Sequence, residues 1–482
     1  MASHYFNEDT IVAPATPLHA VGAIGIVRVS GPAALESASR IIRPRKRALA
    51  DGAADRLRPE NLESHKLYRC EFFDAANRMI DDGMFVWMRG PNSYTGEDSV
   101  ELQMHGNPYI LTRTVEALVA SGQVRAAEPG EFSFRAFRNG KLDLAQAEAV
   151  GDLIAAKSDA AMRLALSALN GSARKAVEGI QEGLIAMLAA VELDIDFSEQ
   201  DVPQVNPVAL LQKVDASIAK IEACRERFRR SRPLREGIRT AIVGAPNSGK
   251  STLFNQLLGE DRSIVSEIAG TTRDVVRESI LFKGLLLVLS DTAGIRDAQD
   301  AIEREGIARS FVEVKDAHLV LALVDASEPE QARRAYAEKL RTEVESRNPG
   351  AKLVVILNKR DKVAPNAWAD ALADLEKFLP VGLSARTGEG LADLHVKILE
   401  RFGNLEMEDE AGGITRARHD DILARAQEHL RNLRVRIARG DSSPDLLSLD
   451  LRAAVDTVAE ISGRFTSDDL LNFIFSKFCI GK

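Results

Sequence analysis

The octapeptide GAPNSGKS, residues 244–251, constrains the fold of this chain more than any other stretch. It satisfies G-x-x-x-x-G-K-[ST] and lies between a β-like run, RTAIVG, and a helix-like run, STLFNQLLG. Gly244 and Gly249 let backbone N–H groups curl round phosphates, and the helix N-terminus adds positive potential. In that setting Lys250 reaches the β- and γ-phosphates and the Ser251 hydroxyl ligates Mg²⁺. The runs TAIVG, LLLVLSD, LVLALVDA and LVVILNK, between about 235 and 400, are continuously apolar. Parallel strands covered on both faces have that texture, so an α/β domain is expected here.

Three further segments specify the nucleotide. DTAG, 291–294, follows a strand-like run, so Asp291 is placed at the Mg²⁺ shell and the Gly294 N–H can sense the γ-phosphate. In NKRD, 358–361, Asp361 can accept the N1–H and N2–H of guanine, an arrangement adenine does not offer, while Asn358 and Lys359 buttress the base. SAR, Ser384 to Arg386, can place a backbone N–H on the guanine O6. Order and spacing are those of a Ras-like P-loop GTPase.

The hydrolytic residues are less determined. Ras-type enzymes orient water with a glutamine directly after DTAG; here Ile295 stands there and cannot polarise water. RDAQDAIEREG, 296–306, offers Asp297, Asp300, Glu303 and Glu305, any of which could equally lie on a solvated helix face. The charge on the transferring phosphoryl calls for a further cation, either Arg273 in GTTRD or a monovalent ion held by Asn247. Thr271 or Thr272 would be the switch threonine that meets Mg²⁺.

At 482 residues the chain has room for about three domains. Residues 1 to about 140 mix short β-like runs, such as IGIVRVSG and MFVWMRG, with turns. An Ala/Leu-rich stretch with three-to-four spacing follows, read as long amphipathic helices, and helices return after about 403. An α/β domain inserted into a helical domain, behind an N-terminal α+β domain, is the simplest architecture. The net charge of −8 argues against broad nucleic-acid coating but leaves room for a local RNA-binding face. The basic run Arg225 to Arg239 reads as a solvated helix end. Cys70, Cys224 and Cys479 are too scattered for a zinc site or a disulfide framework. With no secretory leader and no apolar run of membrane-spanning length, a cytoplasmic protein with no membrane partner is expected. The terminal CIGK does not suit prenylation, since Lys482 is a poor last residue and Gly481 is not aliphatic. LLNFIFSKF, just before it, is apolar enough to dock.

Outside the GTPase motifs, the segments DTIVAPATP (9–17), IGIVRVSGP (24–32), PNSYTGEDSVELQMHGN (91–107), EPGEFSFRAFRNGKLDLAQAEAV (128–150) and FCIGK (478–482) resemble the bacterial tRNA-modification GTPase family MnmE, also called TrmE. The resemblance runs in order over essentially the whole chain. It implies a tetrahydrofolate-binding-like N-terminal domain (1–139) that forms a homodimer. It implies a discontinuous all-α domain (140–234 and 403–482) and an inserted GTPase domain (235–402). It further implies a flavin-dependent partner of the glucose-inhibited division protein A family, in a heterotetramer. The pair would install an aminomethyl or carboxymethylaminomethyl group at C5 of the tRNA wobble uridine. The one-carbon unit would come from a methylene- or 5-formyl-tetrahydrofolate, and K⁺ would do the work of an arginine finger.

Carried over by position, the family's GTP contacts fall on Asn247, Ser248, Gly249, Lys250, Ser251 and Thr252, on Ser266, Thr271 and Thr272, on Asp291, Thr292, Ala293 and Gly294, and on the NKRD and SAR residues Asn358, Lys359, Asp361, Ser384, Ala385 and Arg386. K⁺ would be held by Asn247 with backbone carbonyls between Ser266 and Thr271, Ile268 included, and Mg²⁺ by Ser251 and Thr272. Glu303 would orient the attacking water. Folate contacts fall on Arg28, Glu101, Lys141 and Lys482, a set suited to pterin N–H donors and an anionic glutamate tail. Cys479 becomes a candidate thiol for addition to C6 of uracil, beside the plainer reading of a solvent-facing cysteine. Two departures stand out: the loop PLHAVGAIG, 17–25, where the family has PPGRGG, and Ser248 where alanine is usual. A second reading is a GTP-controlled RNA-binding or ribosome-assembly switch, which would not require Arg28, Glu101, Lys141 or the terminal motif.

Overall fold

Short alternating runs near the N-terminus build one twisted sheet, because a strand with period-two apolar residues buries one face at a time. The computed structural model describes residues 8–44, 62–196, 206–260, 278–289, 313–402, 414, 416–441, 443–463 and 468–481. They divide into two compact units, 1–151 with 455–482, and 152–454.

In the first unit, β1 (Thr10–Pro14), β2 (Gly22–Ser30), β3 (Ile42–Pro44), β4 (Leu67–Phe73), β5 (Met79–Met88), β6 (Ser99–Gly106) and β7 (Val124–Ala126) form a sheet in the order β3-β4-β5-β6-β2-β1-β7. Every pairing is antiparallel except β1 with β7. Val27 and Val29 of β2 and Val100, Leu102 and Met104 of β6 face the helices Ala34–Ile41 and Pro108–Val119, whose Leu35, Ile41, Leu111 and Leu118 complete the main core. The alternate residues Arg28 and Glu101, register partners, therefore face the other side. There Ile11 and Ala13 of β1 carry a smaller apolar cluster with Ala127, Phe132 and Tyr94. The segment 17–25 is not all loop: Gly22–Ile24 already pair with β6 through an irregularity at Ala23, and Gly25 is buried. The register of β2 extends the strand through residues whose composition reads as a turn.

The C-terminal helix Asp468–Phe475 belongs to this unit. Its Leu471, Ile474 and Phe475 pack on Phe134, Leu144 and Ala147, and the Phe134 and Phe475 rings meet edge to face at 5.3 Å.

In the second unit, β8 (Ile238–Gly244), β9 (Glu278–Phe282), β10 (Leu285–Leu289), β11 (Leu319–Asp325), β12 (Lys352–Asn358) and β13 (Val381–Gly382) take the order β13-β12-β11-β8-β10-β9. All pairings are parallel except β9 with β10. Both faces are covered: Leu253, Phe254, Leu257, Leu394 and Ile398 lie on one, and Ala337, Leu340, Val344, Trp368 and Ala371 on the other. This is the inserted Ras-like α/β layout. The flanking chain forms the helices Asp159–Leu169, Ser172–Asp196, Pro207–Glu236 and Ala417–Ala438. The last two are pinned by Arg225–Asp420 at 2.8 Å and Arg434–Asp215 at 2.6 Å. Most of the basic run is thus paired: Arg229 with Glu222, Arg230 with Glu226, and Arg232 and Arg235 with Glu236. No helix among the described residues is long and apolar enough to cross a membrane.

Candidate functional site

The octapeptide joins the end of β8 to the helix Lys250–Glu260. The loop turns through left-handed conformations at Asn247 (φ 61°) and Gly249 (φ 98°). The Lys250 ammonium donates to the carbonyls of Gly244 (3.1 Å) and Ala245 (2.8 Å), which lays its stem across the loop, and burial lowers its pKa. Asn247 sits at the exposed crest, and its side chain makes no hydrogen bond among the described residues. Ser248 is different: it is 1% exposed and its Oγ has no partner among the described residues. A buried hydroxyl left unmade costs about 1–3 kcal/mol. Ser248→Ala should therefore raise stability by about 1 kcal/mol in urea denaturation while leaving GTP affinity unchanged.

The loop is tied to the base-reading segments by one buried side chain. Asn358 Nδ2 donates to the Ser248 carbonyl at 2.7 Å, and its Oδ1 accepts from the Ala385 N–H at 2.9 Å. NKRD and SAR are thereby held against the octapeptide. Ser384 Oγ donates to Asp361 Oδ1 at 2.7 Å and fixes that carboxylate. Lys359, in a left-handed conformation, pairs with Asp325; burial pushes the Asp325 carboxyl up, but this pairing holds it below the usual range. Because the Ala385 N–H is taken by Asn358, the neighbouring Arg386 N–H is the one left unused among the described residues. Thr252 lies exposed in the first turn of the helix. Ser266, Ile268, Thr271, Thr272, Arg273, Asp291, Thr292, Ala293, Gly294 and Glu303 lie outside the described residues, as does Lys482.

A second polar cluster lies on the open face of the seven-stranded sheet. Arg28 Nε donates to Glu101 Oε1 at 2.9 Å, and Nη2 lies 2.8 Å from the same oxygen. The guanidinium lies 5.4 Å from the Tyr94 ring centroid and 5.7 Å from that of Phe132. Lys141 Nζ donates to the Pro91 carbonyl at 3.0 Å, beside the same 91–98 loop that carries Tyr94. That loop is secured by a buried ion network. Glu97 accepts from Ser30 (2.9 Å) and from Arg135 (3.2 Å), and Arg135 in turn holds Asp9 and Glu131. Arg135 and Glu131 are fully buried. Burial pushes the Glu131 carboxyl up, yet Arg125, the Glu128 N–H and Arg135 hold it below its ordinary value.

The tail reaches this face. The Gly130 N–H donates to the Cys479 carbonyl at 3.3 Å, two residues before Phe132. Gly481 runs so close to β1 that a Cβ on it would stand 2.0 Å from the Pro14 carbonyl oxygen. Cys479 itself is exposed, and Cys70 is buried. The family resemblance singles out Arg28, Glu101 and Lys141 as candidates but not the neighbouring Tyr94, Phe132 or Arg135. The signal was present in SYTGED and GEFSFRAF, though nothing local says that the two segments meet. One other group, Asp81, Asp82 and His105, has metal-ligand spacing, but both Asp81 oxygens already accept from His105, at 2.8 Å each.

The comparisons with known proteins agree along the whole chain. A family model described as the MnmE helical domain matches residues 144–479, and one described as the N-terminus of the GTP-binding protein TrmE matches residues 10–141. A protein named tRNA modification GTPase MnmE from Aquifex aeolicus is 41% identical, over 98% of this chain and 100% of its own. Proteins of the same name from Legionella pneumophila strain Corby and from Pectobacterium carotovorum are each 40% identical, over 98% and 99% of this chain and 99% and 100% of theirs.

Proposed function

The chain belongs to the MnmE family of tRNA modification GTPases, and from that premise we propose that it is a K⁺-activated GTPase serving folate-dependent modification of the wobble uridine with a flavin-dependent partner. GTP binding and a role in tRNA modification come with the family. The folate part of this reading is supported by one observation: the Cys479 carbonyl accepts from the Gly130 N–H, two residues before Phe132, whose ring lies 5.7 Å from the Arg28 guanidinium.

In the GTPase half, Asp361, set by Ser384, selects guanine. Lys250 and Ser251, at the start of the helix, would hold the phosphates and Mg²⁺, and the family's motif makes Thr272 the second Mg²⁺ ligand and assigns Asp291 and Gly294 to the Mg²⁺ shell and the γ-phosphate. The amide of Asn247, exposed at the loop crest, would hold a monovalent cation, with the carbonyls of Ser266, Ile268 and Thr271 carried over from the family as its other ligands. A K⁺ ion there supplies positive charge against the charge developing on the transferring phosphoryl. Glu303 orients the water.

In the folate half, the Glu101 carboxylate suits pterin N–H donors, while Lys141 and Lys482 suit a glutamate tail. Bound tetrahydrofolate supplies the one-carbon unit. Cys479, which is exposed, is the candidate thiol for addition to C6 of the uracil ring. The N-terminal unit would form the homodimer, and the flavoprotein would complete a heterotetramer.

The test is the steady-state rate of GTP hydrolysis in KCl against NaCl at equal ionic strength. A rise of about tenfold or more in K⁺ is expected by analogy with a transition-state cation. Equal rates would mean that Arg273 or a partner supplies the charge, and would favour the assembly-switch reading.

A further inference from the structure

Arg28 is held more firmly than an ion pair with Glu101 alone would hold it. Its Nε and Nη2 converge on a single carboxylate oxygen, Glu101 Oε1. Among the described residues, Arg28 Nη1 and Glu101 Oε2 have no partner. The pair therefore presents an unused donor and an unused acceptor side by side. What fixes their direction is aromatic: the guanidinium carbon lies 5.4 Å from the Tyr94 centroid and 5.7 Å from the Phe132 centroid. Each ring is itself immobilised. Phe132 is fully buried against Ile11, Ala13 and Ala127. Tyr94 packs on the same cluster, and its hydroxyl bonds Ser133 Oγ at 2.9 Å. Its loop is further held by Asn139 Nδ2 on the Thr95 carbonyl at 2.7 Å and by Glu97 on Arg135.

We infer that Tyr94 and Phe132 form an aromatic clamp that fixes the Arg28–Glu101 pair for recognition of a 2-amino-4-oxo-pteridine ring, which makes them positioning residues rather than ligand contacts. The inference rests on the folate reading of this face. A guanidinium and a carboxylate free to rotate would spend their charge on each other through both oxygens. Held by two rings, the guanidinium keeps one nitrogen, and the carboxylate one oxygen, available to an incoming heterocycle. The clamp also links two segments far apart in sequence, since Tyr94 comes from the 91–98 loop and Phe132 from the helix Glu131–Arg138.

The experiment is a double-mutant cycle on the full chain, with calorimetric binding of 5-formyl-tetrahydrofolate as readout and thermal unfolding run beside it. Tyr94→Leu should weaken binding about tenfold, and Tyr94→Phe, which keeps the ring, should stay within about threefold of wild type. In an Arg28→Ala background, Tyr94→Leu should add nothing, because Tyr94 acts only through Arg28. Equal losses in both backgrounds, or wild-type affinity in Tyr94→Leu, would overturn the clamp while leaving the folate site standing. Wild-type protein that binds no folate would overturn the folate reading, and the clamp's role with it.

Discussion

Asp361→Asn is expected to lower GTP affinity by about a thousandfold and to make xanthosine triphosphate the better ligand. The carboxylate receives the Ser384 hydroxyl on Oδ1 at 2.7 Å, so one edge is fixed by protein and the other is open to the base. Two charge-assisted hydrogen bonds to guanine N1–H and N2–H contribute about 1.5–3 kcal/mol each. The substitution removes the charge and turns an N–H₂ toward ring N–H donors. Xanthine offers a carbonyl where guanine has its amino group, so the same amide is satisfied there. Because Ser384 can still donate to the amide oxygen, the side chain keeps its rotamer and the fold is spared. Calorimetric titration with both nucleotides reads the switch directly. Unchanged GTP affinity would undo the base-reading role of Asp361.

Gly130→Ala should release the C-terminal segment and leave the nucleotide site intact. Gly130 has φ 71°, and a Cβ there would stand 2.5 Å from the Phe475 carbonyl oxygen and 3.0 Å from the Phe478 Cβ. The first is helix backbone and cannot swing aside as a flexible side-chain end can. Left-handed strain and the loss of apolar contacts to Phe475 together cost about 3 kcal/mol. Hydrogen exchange should show lost protection across 468–481, folate affinity should fall by about a hundredfold, and the GTPase rate should hold. Folate affinity that survives release of the segment would give the tail another role.

The parts of this molecule legible in its sequence are those whose chemistry is local. GAPNSGKS and NKRD declare themselves because each motif must occupy consecutive residues next to a strand, and β8, β11 and β12 stand out as unbroken apolar runs. By contrast, β9 is five residues long and antiparallel, and only pairing with β10 identifies it. Gly22 and Ala23 look like part of a turn and are strand because the pairing with β6 extends back to Gly22. Glu131 and Arg135, four residues apart on one helix, look like surface charges; they are interior, and Arg135 also pairs with Asp9 from more than a hundred residues away. Tyr94 and Phe132 are likewise ordinary aromatics until the fold brings the Arg28 guanidinium to 5.4 and 5.7 Å from their centroids.

The membership of the last helix has a consequence for how the protein is made. Residues up to 151 leave the ribosome first, but the unit they form is completed by 455–482. Roughly 300 residues must be synthesised in between, on the order of 15–60 s at about 5–20 residues per second. Throughout that interval Phe134, Leu144 and Ala147 lack Leu471, Ile474 and Phe475. The N-terminal unit is therefore born with an open apolar seat, which closes only when the chain's own end arrives.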